Sequence, residues 1–565
     1  MRPIDWLVLA GTLFLIVAYG VWKTRGVKSA EAYLRGGSDM KWFTIGLSVM
    51  ATQASAITFL STPGQAYEDG MGFVQFYFGV PLAMVILSAT IVPIYYRLRV
   101  YTAYEYLEGR FDQKTRQLTG FLFLIQRGLG AGLSIYAPAI IVSTVFGWPV
   151  QATNLAIGAL VILYTVSGGT RAVSQTQTYQ MAVILGGMVL AFVFIFHQLP
   201  EHMSFGDALG VAGALGKMKV VDFSPRFDTR YTFWAGLTGG LFLQLAYFGT
   251  DQSQVQRYLT GSSLGESRLG LLMNGLVKVP MQFFILLVGL TVLVFYQFHE
   301  PPVFFNRAEL ELVRKTPQAA ELAALETAHA EAFREKRQHV EALLAARAEA
   351  RPETAARQGV TAAAARVAAV RKDVKALVRR AHPGHEPNDA DYIFITFVTQ
   401  HFPEGLVGLL MAVIFCAAMS SSASALNALG STTVVDFYRR SVRPAASDAH
   451  YLRAAKLFTV LWGALAVLFA TFASLVDNLI QAVNIIGSIF YGPTLGVFLV
   501  GFFLKRVGGT AVFWATVVSQ GLVIVVARVS SIGYLWYNVI GCAAVVVLGI
   551  GLSWVLGEGG RRRPA

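Results

Sequence analysis

The chain has 565 residues, and its hydrophobic fraction of 55% stands against a charged fraction of only 14%. This balance excludes an ordinary soluble globular protein and indicates a membrane protein. The net charge of +13 falls mostly in short loops between apolar runs, where anionic lipid accounts for it, so we expect no nucleic-acid partner.

Thirteen apolar runs recur along the chain. A helix needs roughly 20 apolar residues to span a hydrocarbon core of about 30 Å. Because the runs are continuous rather than alternating, they predict helices and not membrane-spanning strands, and the fold class is all-α and polytopic. The runs lie near residues 4–22, 42–62, 72–96, 118–148, 152–166, 179–197, 232–250, 269–298, 405–435, 451–475, 480–504, 510–528 and 532–556.

The distribution of basic residues predicts how the chain is oriented. Arg2 alone precedes the first run, whereas Lys23, Arg25 and Lys28 follow it, so the positive-inside rule places the N-terminus outside. Alternation over thirteen spans then puts the C-terminus in the cytoplasm. We expect a multi-pass protein of a plasma membrane, here the bacterial inner membrane, surrounded by the lipid bilayer.

The second run carries an unusual number of polar residues near its centre, including Thr52, Gln53, Ser55 and Thr58. Polar groups at this depth are costly unless they face a cavity or a partner, which predicts a helix that is unwound or polar at its centre and lines a site. A helix contact built from small hydroxyl residues is the alternative.

Two cations lie deep inside later runs. Arg127 falls about ten residues into the fourth run and Lys278 about nine into the eighth, too deep for either to reach the interface easily. No acidic residue lies at a comparable depth in the predicted spans to pair with them. The surplus of positive charge favours an anionic solute.

A charged segment near residues 300–390 interrupts the apolar pattern. Its charges recur three and four residues apart among strong helix formers, and Pro317 and Pro352 divide it, which predicts two helices outside the membrane on the external face. A solvated helical hairpin is the simpler interpretation, and a module that docks a partner is the alternative.

The ninth run contains a cluster of hydroxyl groups at Ser420, Ser421, Ser422 and Ser424. Sodium is a hard cation, and hydroxyl oxygens together with carbonyls freed by a broken helix can supply its ligands without a buried carboxylate. A sodium site is expected where this cluster meets the second run. Tight packing of small residues is the alternative.

Several motifs at these spacings resemble the sodium/solute symporters, the family of the sodium/glucose, sodium/proline, sodium/iodide and sodium/monocarboxylate transporters. The resemblance covers nearly the whole chain outside the charged segment. Its strongest pieces are SAITFLSTPGQAYEDG, TAYEYLEGRF, YAPAI, GGTRAVSQTQTYQ, YFGTDQSQVQRYL and AAMSSSASALN.

The resemblance implies a LeuT-like core, a 5+5 inverted repeat of ten helices whose first and sixth members are broken. One span would precede this core and two would follow it. The implied organisation is an extra N-terminal helix and cytoplasmic loop, core helices 1 to 7, the external insert, core helices 8 to 10, and two C-terminal helices with a basic tail, at 1–40, 41–299, 300–390, 391–507 and 508–565.

Sodium is the coupling ion that the resemblance implies. Carried over by motif, its ligands would be carbonyls of the first core helix and a carbonyl with two hydroxyls of the eighth, at Ala51, Ala54, Ala417, Ser420 and Ser421. Many members have an acidic residue where this chain has Gln177, and they use it for a second sodium or for sodium exit. A neutral amide cannot supply that charge, so we expect one sodium per cycle.

The resemblance also implies a set of cavity-facing positions for the solute, with Tyr247 and Phe248 as an inner lid. To these we add Arg127 for its charge, so that the candidate solute-binding residues are Gln53, Thr58, Arg127, Gln244, Tyr247, Phe248 and Lys278. Ordinary packing is the alternative for the two aromatic residues.

The predicted function is sodium-coupled symport that imports a small organic anion, such as a monocarboxylate, by alternating access. A sugar or another neutral solute is the alternative, because Lys278 also hydrogen-bonds polyols. A transporter-like sensor or a channel is a further alternative. The chain shows no nucleophile–base pair, phosphate-binding loop or set of metal ligands typical of an enzyme, so catalysis is not expected.

Overall fold

A computed structural model gives the fold and describes residues 2–24, 33, 39–382, 387–473 and 478–558. All the regular elements in these ranges are helical. Nine helices among them are long and apolar enough to cross a membrane, which confirms an all-α polytopic protein: Ala56–Leu98, Gln113–Ser143, Val173–His197, Leu264–Phe298, Leu406–Val442, Asp448–Ala470, Leu479–Phe503, Gly509–Val529 and Leu535–Val555. The number thirteen stays a prediction, as does the inverted repeat.

The α-helices, in chain order, are α1 Pro3–Thr24, α2 Trp42–Gln53, α3 Ala56–Asp69, α4 Val80–Ala89, α5 Ile91–Leu98, α6 Glu105–Arg110, α7 Gln113–Phe146, α8 Val150–His197, α9 Phe205–Ala214, α10 Gly240–Thr250, α11 Gln252–Tyr258, α12 Leu264–Phe298, α13 Arg307–Val313, α14 Ala319–Ala348, α15 Thr354–Ala381, α16 Ala390–His401, α17 Leu406–Thr432, α18 Asp448–Ala470, α19 Leu479–Phe503, α20 Gly509–Val529 and α21 Leu535–Val555. A 3₁₀ segment covers Gly70–Tyr77.

The second apolar run is broken in the middle, as its polar residues predicted. The backbone leaves the helix at Ala54 (φ −84°, ψ 79°) and is extended at Ser55 (φ −77°, ψ 171°) before α3 begins. The amide of Ser55 donates to the Gln53 carbonyl at 3.1 Å. In an uninterrupted helix it would have bonded the carbonyl of Ala51, so the break frees that oxygen for other partners.

A second break separates α10 from α11. Asp251 adopts an extended conformation (φ −79°, ψ 117°), and its carboxylate accepts a hydrogen bond from the amide of Ser253 at 2.9 Å to cap α11. This is the N-cap arrangement that a short polar side chain favours. A second helix break therefore lies at the end of the seventh apolar run, and its place in a sixth core helix stays a prediction.

The helix α8 is two helices joined end to end. Gly169 has φ 59° and ψ −174°, a backbone conformation that is open essentially to glycine alone. A Cβ at this position would also come within 2.6 Å of the Tyr33 ring. The fifth and sixth predicted runs correspond to the two parts of α8.

The long helix α12 packs along both α2 and α3, the two halves of the second apolar run, which we call the broken helix. Gly270 of α12 lies against Ile45 of α2, and Gly289 lies against the backbone of Pro63 of α3. Because the two chain segments run side by side between these contacts, Lys278 lies at about the height of the break at 54–55.

The charged segment folds as a hairpin of α14 and α15, preceded by the short helix α13. Buried apolar residues recur along one face of each long helix and form their contact, at Leu322, Phe333, Val340 and Leu343 on α14 and at Val360, Val367, Val374 and Leu377 on α15. Most charged residues occupy the opposite faces, as expected for helices that lie in water, whereas Lys336 is buried and Arg371 is only 14% exposed. We refer to residues 307–381 as the insert.

Candidate functional site

The hydroxyl cluster of α17 meets the broken helix at the end of α2. Ser420 Oγ donates toward the Ala51 carbonyl at 2.9 Å and lies 3.0 Å from the carbonyl of Ala417. Ser421 Oγ lies 3.0 Å from the same Ala417 oxygen. Positions 417, 420 and 421 share one helical face because they are spaced by three and four residues.

This group of oxygens has the chemistry that sodium requires. Two carbonyls and two hydroxyls converge without a carboxylate, and a hydroxyl that donates to a carbonyl can rotate and offer its lone pairs to a cation. Ala54 lies at the break itself, one helical turn after Ala51. The structure thus brings Ala51, Ala417, Ser420 and Ser421 together and places Ala54 beside them.

Gln177 of α8 lies next to this cluster and bonds residues of both α2 and α17. Its Nε2 is 2.9 Å from Ser424 Oγ, 3.1 Å from Thr52 Oγ1 and 3.1 Å from the Ser420 carbonyl. Ser48 Oγ donates to its Oε1 at 2.5 Å. Both ends of the neutral amide are therefore used, and this polar network is complete without a charge.

Lys278 occupies a different environment. Its side chain is fully buried, its Nζ has no hydrogen-bond partner among the described residues, and it lies 5.2 Å from the centre of the Tyr77 ring. A cation over an aromatic face gains some stabilisation, but much less than a counter-ion would provide. Among the described residues, the ammonium of Lys278 therefore has only this ring contact to offset its charge.

Three amide side chains without complete partners accompany Lys278. Gln244 and Gln282 are fully buried, and neither end of their amides is bonded within the described part of the chain. The Oε1 of Gln53, the residue just before the break, also lacks a partner there. Sequence reasoning missed Gln282, although its spacing of four residues from Lys278 could have indicated it.

The position of Gln244 relative to Lys278 follows from the packing of the 3₁₀ segment. Gly240, one helical turn before Gln244, packs against the carbonyl of Phe76, and the ammonium of Lys278 lies over the next residue, Tyr77. Thr58 is buried in the first turn of α3, just after the break. The structure therefore gathers Gln53, Thr58, Gln244 and Lys278 around the broken helix.

The prediction that no acidic residue pairs with Arg127 was wrong. Its guanidinium forms an ion pair with Asp251 and donates to Tyr491 Oη at 2.9 Å, while Tyr491 in turn donates to Asp251 at 3.1 Å. Asp251 follows the seventh apolar run, and the break after α10 turns it inward. The charge of Arg127 is compensated, so the case for an anionic solute rests on Lys278.

The two aromatic residues at the end of α10 belong to the same cluster as Arg127. The guanidinium lies 5.3 Å from the Tyr247 ring, and Tyr247 packs against Phe248 with ring centres 4.9 Å apart. Gln254 donates to Tyr247 Oη at 2.7 Å. Tyr247 is thus held by the guanidinium over its ring and by a hydrogen bond to its hydroxyl, and its role as a lid stays a prediction.

Comparison with known proteins identifies the family. The model of the sodium:solute symporter family matches residues 33–329 and 364–519. The chain belongs to this family. It is therefore a sodium-coupled membrane transporter and not an enzyme, which agrees with the oxygen cluster between α2 and α17.

Relatives of this symporter differ in the solute for which they are named. The sodium-coupled monocarboxylate transporter 1 of Xenopus laevis is 27% identical over 88% of this chain and 67% of its own length. The sodium/sialic acid symporter of Proteus mirabilis is 25% identical over 97% of this chain and 94% of its own. The human sodium/iodide cotransporter is 32% identical, but over only 53% of this chain and 46% of its own.

The fold of the symporter is also found in a solved structure. A Na⁺-coupled sialic acid symporter, in a substrate-bound outward-open state, superimposes with a TM-score of 0.75 over 98% of both chains at 24% sequence identity. This likeness supports the LeuT-like fold of the symporter.

Proposed function

We propose that this symporter imports a small organic anion, such as a monocarboxylate, together with one sodium ion by alternating access. The observation that carries the choice of solute is the buried ammonium of Lys278, which lacks a counter-ion among the described residues. Burial of an unpaired charge is costly, and a bound carboxylate would offset that cost. The unbonded amides of Gln53, Gln244 and Gln282 would hold the remaining polar atoms of the solute.

Sodium would couple to the solute through the broken helix. An ion held by Ala51 and Ala54 on one side and by Ala417, Ser420 and Ser421 on the other links the centre of the broken helix to α17. Lys278 and Gln53 lie at the same height, so an ion that favours one arrangement of the break also favours one arrangement of the solute residues. Coupling of this kind raises the affinity of each ligand for the protein when the other is bound.

The proposal of one sodium per cycle rests on Gln177. Its amide already bonds Ser48, Thr52 and Ser424, and it carries no charge to attract a second ion. We expect a Hill coefficient of about 1 for sodium activation, because a single site gives no cooperativity. A coefficient near 2 would contradict this stoichiometry.

A neutral sugar is the second candidate solute. The three amides around Lys278 are suited to hydroxyl groups, and an ammonium can donate to a polyol as well as to a carboxylate. The names of the relatives favour the anion, because monocarboxylates, sialic acid and iodide all carry negative charge.

We also propose a location and an orientation. The protein is assigned to the bacterial inner membrane. The basic loops support an N-terminus outside and a C-terminus in the cytoplasm, and this orientation would put the insert on the external face. Docking of a partner by the insert stays a prediction.

The test is uptake of a labelled panel into proteoliposomes, with an inward sodium gradient compared with a potassium control. The panel includes lactate, pyruvate, acetate, pantothenate, glucose, proline and iodide. Saturable, sodium-dependent accumulation of a carboxylate would support the proposal, whereas accumulation of glucose alone would establish the second candidate. Uptake that neither saturates nor depends on sodium would exclude symport.

A further inference from the structure

The insert touches the broken helix at the last turn of α3. Arg371 and Lys375, one turn apart on α15, face Glu68 at the end of α3 and Asp389 just before α16. The distances to Asp389 are 2.6 Å from Arg371 and 2.9 Å from Lys375. The distances to Glu68 are longer, at 3.5 and 3.2 Å. We call these four residues the latch.

The two carboxylates of the latch differ in their surroundings. Asp389 is fully buried and accepts a hydrogen bond from the amide of Phe305 at 2.9 Å, and Arg371 lies 5.4 Å from the Phe305 ring. Burial alone would favour the neutral acid, but Arg371 and Lys375 hold the pKa of Asp389 below its usual value. Asp389 is therefore an ionised anchor that could leave its partners only at a large cost.

Glu68 is the releasable member of the latch. Its side chain is 28% exposed, so water can replace its protein partners when it separates from them. A partly exposed ion pair contributes only a modest free energy, which suits a contact that must form and break repeatedly. Lys375 is equally accessible at 28%, whereas Arg371 is 14% exposed and stays close to Asp389.

Positive charge converges on the C-terminal end of α3 from two directions. Lys217 donates to the backbone carbonyl of Glu68, and the cations of α15 approach the Glu68 side chain. Helix C-termini attract cations because their last carbonyls are unpaired and the helix dipole is negative there. The C-terminal end of α3 is thus held by Arg371 and Lys375 of the insert and by Lys217.

We propose that Arg371 and Lys375 are positioning residues for an external gate, formed by the last turn of α3 and the insert. They hold the last turn of α3 against the insert while the gate is closed, and Glu68 separates from them each time α3 moves to admit sodium. Their bonds to Asp389 persist throughout the cycle. The inference rests on alternating access and on the proposed orientation, but not on the identity of the solute.

The first test cross-links the latch. The variant Glu68→Cys/Lys375→Cys is treated with a bifunctional methanethiosulfonate reagent in proteoliposomes, and sodium-dependent uptake is measured before and after reduction. We expect at least a tenfold loss of uptake that the reductant restores. The matched control is Glu335→Cys/Arg366→Cys, which replaces an ion pair of 2.6 Å between α14 and α15 and should tolerate the cross-link.

Full uptake by the cross-linked latch variant would overturn the proposal, because the contact would then not need to separate. If neither the uncross-linked protein nor the control variant transports any solute of the panel, the proposed function is contradicted. The role of the latch is then tested by the second experiment, which measures labelling and needs no transport.

The second test measures how often the gate opens. A cysteine replaces Thr62, a buried residue of α3, and its reaction with a membrane-impermeant thiol reagent is followed with and without Glu68→Gln. Loss of the latch should raise the labelling rate about threefold, the size expected for a partly exposed ion pair. Glu68→Asp should restore the slower rate, and Glu335→Gln should leave it unchanged. Equal labelling in Glu68→Gln and in the parent would overturn the proposal.

Discussion

Two polar regions lie side by side at the centre of this symporter, and they are satisfied in opposite ways. In the first, the hydroxyls of Ser420 and Ser421 bond the carbonyls of Ala51 and Ala417, and the neighbouring amide of Gln177 is bonded at both ends. In the second, around Lys278, the ammonium and several amides have no partner within the described residues. Both regions are buried, so exposure does not explain the difference.

The difference follows from the chemistry of the groups. A hydroxyl both donates and accepts, so hydroxyls and carbonyls can satisfy each other and still turn toward a cation. An ammonium only donates and carries a full charge, which neutral neighbours offset poorly. The first region is therefore suited to a small cation that binds and leaves at little structural cost, and the second to a solute that brings its own acceptors.

Replacement of Lys278 tests the second region and has the largest expected effect. Lys278→Met keeps the length of the side chain and removes the charge. We expect the half-saturating concentration of an anionic solute to rise at least 30-fold, because loss of one member of a buried charge pair costs about 2 kcal/mol or more. Uptake in proteoliposomes measures this, and sodium-induced thermal stabilisation should remain.

The matched control is Lys456→Met, which removes another ammonium that lies over an aromatic ring, 5.9 Å from the centre of Tyr33. It should leave solute affinity unchanged. An equal loss in both variants would show that Lys278 acts only through protein stability.

Replacement of Ser420 tests the first region. Ser420→Ala removes the hydroxyl that joins Ala51 to Ala417. We expect the half-saturating sodium concentration to rise about tenfold, equivalent to about 1.4 kcal/mol. Solute binding at saturating sodium should change much less. Ser422→Ala, which alters a buried hydroxyl two residues away, is the control; equal losses of sodium and solute binding in Ser420→Ala would contradict the site.

Glu309 shows whether lack of a partner alone marks a functional group. It lies on α13 outside the membrane, and its Oε2 is unbonded within the described chain. Burial, together with the nearby charge of Asp389, raises the pKa of Glu309 to about 7. The folded protein therefore holds a proton that the unfolded chain has released, and it loses stability as the pH rises from about 4 through 7.

The variant Glu309→Gln removes this loss and should raise the midpoint of thermal unfolding by about 3 °C at pH 8 and by much less at pH 5. Uptake should not change, in contrast to Lys278→Met. The exposed Glu331→Gln serves as the control and should show no dependence on pH. A midpoint that falls at pH 8 would mean that the carboxylate of Glu309 is stabilising.

Much of the local structure was predictable from the sequence. Continuous apolar runs indicate helices whatever surrounds them, because the bilayer requires each segment to satisfy its own backbone. The break near Ala54 was visible as polar residues inside an apolar run. The common face of Ala417, Ser420 and Ser421 follows from helical spacing alone.

Partners that depend on two distant segments were not predictable in this way. Asp251 pairs with Arg127 across 124 positions of the chain, and it does so only because the break after α10 turns it inward. The latch likewise joins Glu68 to Arg371 across 303 positions. Hydropathy and helical period report which groups are buried and which share a face, whereas the angle and register between helices decide which charges meet. By itself the sequence determined the helices and the shared face of Ala417, Ser420 and Ser421. The tertiary structure decided that this face meets Ala51, that Arg127 is paired, and that Lys278 has no partner among the described residues.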